Sequence, residues 1–152
     1  MRSLLSGFSM VGAIVGGVTF GYFSDRLGRR RAIVTAMLCA ILMIPLWAFA
    51  PVVSLLFLGG FLMQFMVQGA WGVIPAHLSE LSPDSVRGFL PGFAYQCGVL
   101  LSSSVVWIEA TFAQRTSYAI AMALTAITVF LGACVITLVG KERRGAEFGR
   151  IG

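Results

Sequence analysis

The sequence predicts an all-α integral membrane protein of five transmembrane helices, and three observations carry that expectation. Hydrophobic residues make up 58% of the chain and charged residues only 11%, where an ordinary soluble domain is about a quarter charged. The charge-free runs are long enough to cross a ~30 Å hydrocarbon core at ~1.5 Å rise per residue. Between them the basic residues gather in short polar gaps, the pattern that sets membrane orientation. At 152 residues a soluble chain would be one domain, and its surface would need more polar residues than this one has.

The first element is the run 4–23, 20 residues without a charge. It is too long for a signal-peptide core and ends on a basic stop instead of a small-residue cleavage site. The next run, 32–79, lacks Asp, Glu, Lys and Arg for 48 residues, too many for one crossing. Pro51 divides it into spans near 32–50 and 53–76 joined by a tight turn. Residues 88–108 start a fourth span that continues past Glu109, giving bounds near 88–110. The fifth lies near 117–139, and residues 141–152 form a short basic tail.

Placing the 24–31 segment inside puts Arg26, Arg29, Arg30, Arg31, Arg87, Lys141, Arg143, Arg144 and Arg150 on the inner side. Only Arg2 and Arg115 of the eleven basic residues are then outside. The expected topology is an outer N-terminus and a cytoplasmic C-terminus in the plasma (inner) membrane. An outer start and an odd number of spans suggest the later part of a larger protein, its missing N-terminal helices supplied upstream or by a partner chain.

The net charge of +5 does not point to nucleic acid, because no basic face is interleaved with aromatic residues. Cys39, Cys97 and Cys134 each sit inside an apolar run without Cys-x-x-Cys spacing, so they read as buried thiols and not as a metal or disulfide framework. One histidine, no Gly-x-Ser-x-Gly elbow and no phosphate loop leave no catalytic set, and no enzyme, cofactor or metal is expected.

The densest motif is Gly21-Tyr22-Phe23-Ser24-Asp25-Arg26-Leu27-Gly28-Arg29-Arg30-Arg31-Ala32, which reads as a short loop between the first two spans. Its arginines could serve only as headgroup anchors, while Asp25 could cap the next helix or accept hydrogen bonds from Arg29. The spacing of Gly21, Asp25, Arg26, Gly28, Arg29 and Arg30 resembles, position by position, the signature loop of the major facilitator superfamily of secondary transporters. That resemblance implies a conformational-switch loop within a 12-helix fold. On the first span Gly12 and Gly16, then Gly17 and Gly21, fall four apart, a spacing that suits either static close packing or a smooth rocking surface.

Gln64, Gln68 and Trp71 lie at i, i+4 and i+7 on the third span. Amides inside a membrane need an interhelical partner or a wet cavity, so this stripe either bonds a neighbour or contacts a polar substrate. The stretch from Gln68 through Pro75-Ala76-His77 to Glu80, with Arg87-Gly88 and Tyr95-Gln96-Cys97-Gly98, resembles the lactate/pyruvate–proton symporters of the superfamily. More loosely it resembles bacterial sialic acid transporters. The resemblance makes the five spans helices eight to twelve, a partial C-terminal bundle of the major facilitator fold. It also implies a small organic anion and a proton as what is carried. Gln96 then matches a substrate-recognising glutamine and Tyr95 its neighbour, whereas Val99 replaces the family's asparagine. A sugar or sialic acid carrier is the alternative, and a truncated fragment that transports nothing is a third reading.

Two groups could carry the coupling proton. Glu109 either sits in the outer interface near Arg115 or is desolvated enough to be protonated. His77 titrates near neutrality and lies beside Glu80, where a local structural bond is the other reading. Glu80, Asp84 and Arg87 are expected to form an inner charge network that latches one conformation.

Overall fold

The computed structural model describes residues 2–141, and among these every element is an α-helix. The order is α1 (Arg2–Leu27), α2 (Arg29–Ala48), α3 (Val53–Leu81), α4 (Leu90–Ser102), α5 (Val105–Ala113) and α6 (Tyr118–Val139). With α4 and α5 taken as one apolar segment, five helices are long and apolar enough to span a membrane. Apart from Lys141, the tail expected at 141–152 lies outside the described residues.

Helix α3 is the spine, packing against α1, α2 and α4, while α2 also meets α6 and α5 lies on α6. Lipid tails are as apolar as leucine, so close backbone approach and van der Waals contact must hold such helices together. The glycines supply that approach. A Cβ on Gly16 would stand 2.7 Å from the Phe65 carbonyl carbon, and one on Gly12 3.0 Å from the Phe61 ring. From the other side, a Cβ on Gly59 of α3 would come 2.7 Å from the Leu46 carbonyl oxygen of α2. Gly21 meets nothing within 4 Å, so the two four-residue pairs of α1 do different things. Ala36, Ala40 and Ala70 fill the α2–α3 seam completely buried, with Met37, Val73 and Cys134 closing one core cluster. Val18, Leu42, Ile136 and Val139 point outward and exposed, as lipid-facing residues do.

Two elements depart from the sequence reading. The expected loop around 21–31 is helical on both sides of a single residue, Gly28. Asp25 and Arg26 continue α1 because leaving the apolar core removes no backbone hydrogen bond; Gly28 N–H still reaches the Ser24 carbonyl at 3.0 Å. The chain reverses at Gly28 with φ 96° and ψ 150°, a region open essentially to glycine alone. The fourth span, expected as one helix near 88–110, is interrupted at Ser103 and Ser104. There the Ser102 and Ser103 hydroxyls donate to the Val99 and Leu100 carbonyls at 2.9 and 2.7 Å. Ser104 N–H bonds three residues back, to Leu101, at 3.4 Å. Hydroxyls that compete for backbone carbonyls tighten and end the helix.

Helix α3 keeps its course through Pro75 to Leu81. Its 29 residues correspond to about 43 Å, longer than a ~30 Å core. The turns after Pro75 therefore project beyond the apolar layer and carry His77 and Glu80 to the same end as Gly28.

Candidate functional site

That end of the bundle is organised by Arg29. Placed in the first turn of α2 by the Gly28 reversal, its Nη1 pairs with Asp25 at 2.7 Å, four residues earlier on α1. Its Nε donates to Glu80 Oε1 at 3.1 Å on α3, and Nη1 also donates to the Ser24 hydroxyl. One planar guanidinium thus ties three helices, using the fork geometry that suits arginine to carboxylates. The two acids differ in setting. Asp25 has a side chain 64% exposed, whereas those of Arg29 and Glu80 are 18% and 11% exposed, so the pair with Glu80 is the desolvated one.

The inner charge network divides differently from the expectation. Arg29, from the first motif, is the arginine bonded to Glu80, while Arg87 pairs with Asp84. Arg87 also donates from Nε to the Ser79 carbonyl at 3.0 Å and from Nη2 to the Ser82 carbonyl at 3.3 Å. These carbonyls belong to the last turn of α3 and its cap, where Ser79 otherwise accepts only a long bond from Ser82 N–H at 3.3 Å, so a cation is favoured there. Arg26 lies over the Tyr22 ring, 4.7 Å from its centroid, a cation–π contact on its own helix. Gly21 has open space beside it, and Gly28 is the reversal itself. His77 is buried on α3 between Val73 and Glu80 in sequence.

A second group of residues lies away from that end. Trp71 of α3 and Tyr95 of α4 meet edge to face, with ring centroids 5.5 Å apart. Four residues after Trp71, Pro75 has no amide hydrogen, which deprives the Trp71 carbonyl of its intrahelical donor. Gln96 follows Tyr95 on an exposed surface, and Gln68 is half-buried on the face of α3 that leads back to Gly17. Gln64 lines a separate cavity of about 390 Å³ between α1, α2, α3 and α6, with Ser6, Ser9, Trp47 and Phe130. Among the described residues no side-chain hydrogen bond occupies Gln64, Gln68 or Gln96. The structure brings Trp71 and Tyr95 together, with Gln96 next to Tyr95 in the chain, and sets Gln64 in the separate cavity. Glu109 is half-buried on α5, beyond the serine break.

A protein-family model for the sugar (and other) transporters matches residues 1–140, nearly the whole chain. The chain belongs to that family. Its five long, apolar helices are those of a multi-pass membrane protein of that family. A carboxylic acid transporter protein homolog of Saccharomyces cerevisiae is 32% identical over 147 residues, covering 88% of this chain and 24% of that protein. A probable 4-methylmuconolactone transporter of Cupriavidus pinatubonensis is 28% identical over 142 residues, 93% of this chain and 33% of its own length. The glucose transporter GlcP of Staphylococcus epidermidis is 33% identical over 81 residues, 53% of this chain and 18% of its own. The chain thus spans about a third or less of the transporters it matches. No solved structure matches it.

For Arg30 the sequence reading gave the motif and not the partner. It was placed with the switch motif, but its Nε donates to the Thr137 carbonyl at 2.9 Å and its Nη2 to the Leu138 carbonyl. It therefore caps α6, whose last turn holds no basic residue of its own. That lack is the signal that could have flagged an incoming cation; the partner, 107 residues away, carries none.

Proposed function

We propose that the protein serves in proton-coupled secondary transport of a small carboxylate such as lactate or pyruvate, as part of a larger carrier. The observation that carries the reading is the Trp71–Tyr95 contact beside Gln96, set against a relative named for carboxylic acids that covers most of the chain. A carboxylate approaching there meets the Gln96 amide donors, and a carboxylic acid or hydroxyl meets the Trp71 carbonyl freed by Pro75. Glu109 and His77 are the groups proposed to exchange the coupling proton. Alternating access would come from rocking of helical bundles about this midplane site, with the Arg29–Glu80 pair latching one state. The latch residues are Gly21, Asp25, Arg26, Gly28, Arg29, Arg30, Glu80 and Arg87.

The proposed orientation has the N-terminus outside and the Gly28 end in the cytoplasm of the plasma (inner) membrane. Arg26, Arg29, Arg30, Arg31 and Arg87 support it by their common position at one end of the bundle. Helices α4 and α5 bury no residue, which supports a completed assembly in which further helices cover them. A sugar carrier is the second reading, favoured by the family description and by the glucose transporter among the relatives.

Uptake of labelled lactate into native membrane vesicles holding the protein tests the proposal. An inward proton gradient should raise uptake, a protonophore should abolish the rise, and pyruvate should compete where glucose does not. Glucose uptake with no lactate uptake would instead establish the sugar reading.

A further inference from the structure

We propose that the cleft between the Gly28 reversal and the end of α6 is a binding site for one anionic phospholipid. The cleft holds about 690 Å³ and is lined by Leu27, Gly28, Arg30, Arg31, Val34, Thr35 and Leu138. It is amphiphilic in the direction a lipid demands. Its polar rim carries two guanidinium groups, and its apolar wall is formed by half-buried Val34 of α2 and exposed Leu138 of α6. Leu138 is 56% exposed, so the apolar wall opens sideways toward the bilayer and is not sealed by protein.

The two arginines divide the work. Arg30 is held rigid by its bonds to the Thr137 and Leu138 carbonyls, which leaves its charge at the back of the cleft in a fixed place. Arg31 is exposed and, among the described residues, makes no hydrogen bond or ion pair. Every acid at this end that the structure pairs is taken by another arginine, Asp25 and Glu80 by Arg29 and Asp84 by Arg87. A phosphodiester is the ligand whose charge and bidentate oxygens suit an unspent guanidinium. Its acyl chains would lie on Val34 and Leu138, something a free phosphate cannot do. A neutral headgroup offers the same chains but leaves two positive charges uncompensated, so the site should discriminate by charge.

Native mass spectrometry of the full chain, extracted from vesicles of equal phosphatidylglycerol and phosphatidylcholine, tests this. The wild type should retain phosphatidylglycerol in preference, and Arg31→Gln should lower that retention about fivefold. Because Arg31 makes no hydrogen bond or ion pair with another described residue, the variant should keep its helical circular dichroism, which separates lost binding from lost fold. Arg26→Gln removes an equal charge from the same end outside the cleft and should retain the wild-type adduct. Equal retention of both lipids by the wild type would overturn the proposal, as would an Arg31→Gln adduct equal to wild type. A loss with Arg26→Gln as large as with Arg31→Gln would reduce the effect to diffuse charge attraction. Displacement of phosphatidylglycerol by millimolar inorganic phosphate would make the cleft a soluble-anion site and also refute it.

Discussion

Arg29 shares its guanidinium unequally between two acids, and the difference is measurable. The Asp25 side chain is 64% exposed and four residues away across the Gly28 reversal, while Glu80 is 11% exposed and 51 residues away. Exposed pairs are screened by water, whereas breaking a desolvated pair strands a charge. Double-mutant cycles on unfolding should therefore give coupling above ~1 kcal/mol for Arg29–Glu80 and below ~0.5 kcal/mol for Arg29–Asp25. Gly28 makes a second prediction at this scale. Its φ of 96° and ψ of 150° admit no Cβ without strain, so Gly28→Ala should lose ~1–3 kcal/mol of stability in thermal melts. The Asp25–Arg29 bond could be read from the sequence, since a four-residue separation within one short charged motif keeps the two side chains within reach of each other. Glu80 and the α6 carbonyls could not be read as partners, because nothing local marks contacts that only packing creates.

Among whole elements, the small residues of α1 decide which of its faces is fixed. Gly12 and Gly16 abut the α3 backbone at Phe61 and Phe65, while Gly21 faces open space. A methyl at Gly16 meets the Phe65 backbone, which cannot turn aside as a side chain can, so α1 and α3 must separate. Gly16→Ala should cost ~1–3 kcal/mol, and Gly21→Ala should stay within ~0.5 kcal/mol, read as melting of the bilayer-embedded chain. The comparison also chooses between static packing and a rocking surface for the four-residue pairs. Equal tolerance at both positions would mean that the α1–α3 seam is not tight. The number and order of apolar helices were legible because hydrocarbon thickness imposes a minimum length on each. Their ends were not, because a helix continues past the apolar layer wherever its hydrogen bonds persist, as α1 does to Leu27 and α3 to Leu81. The serine break between α4 and α5 was half legible. Back-bonding of the 102–104 hydroxyls follows from their type, but its effect on the helix depends on α4 and α5 burying nothing that would hold it straight.

Across the whole molecule, the two groups of residues should separate kinetically. The proposed latch joins α1, α2 and α3 at the Gly28 end through Arg29, and the Trp71–Tyr95 contact joins α3 to α4 beyond Pro75. Helix α3 is common to both, so a change of its tilt that opens one could rearrange the other. If Gln96 contacts substrate as proposed, removing its amide should raise KM with expression intact. Removing Asp25 leaves that surface untouched but frees one side of Arg29. Its effect falls on the balance between conformations, hence on kcat. In the assembled carrier, Gln96→Ala should raise KM about tenfold, the scale of one lost hydrogen bond to a charged group, while kcat changes little. Asp25→Ala should lower kcat with KM nearly constant. The pattern is checked by initial-rate uptake of labelled carboxylate over a range of concentrations. Unchanged kinetics in Gln96→Ala would remove that glutamine from the substrate path. Parallel loss of binding and turnover in Asp25→Ala would mark the Gly28 end as a scaffold and not a latch, since a scaffold defect depletes folded carrier without favouring one conformation over the other.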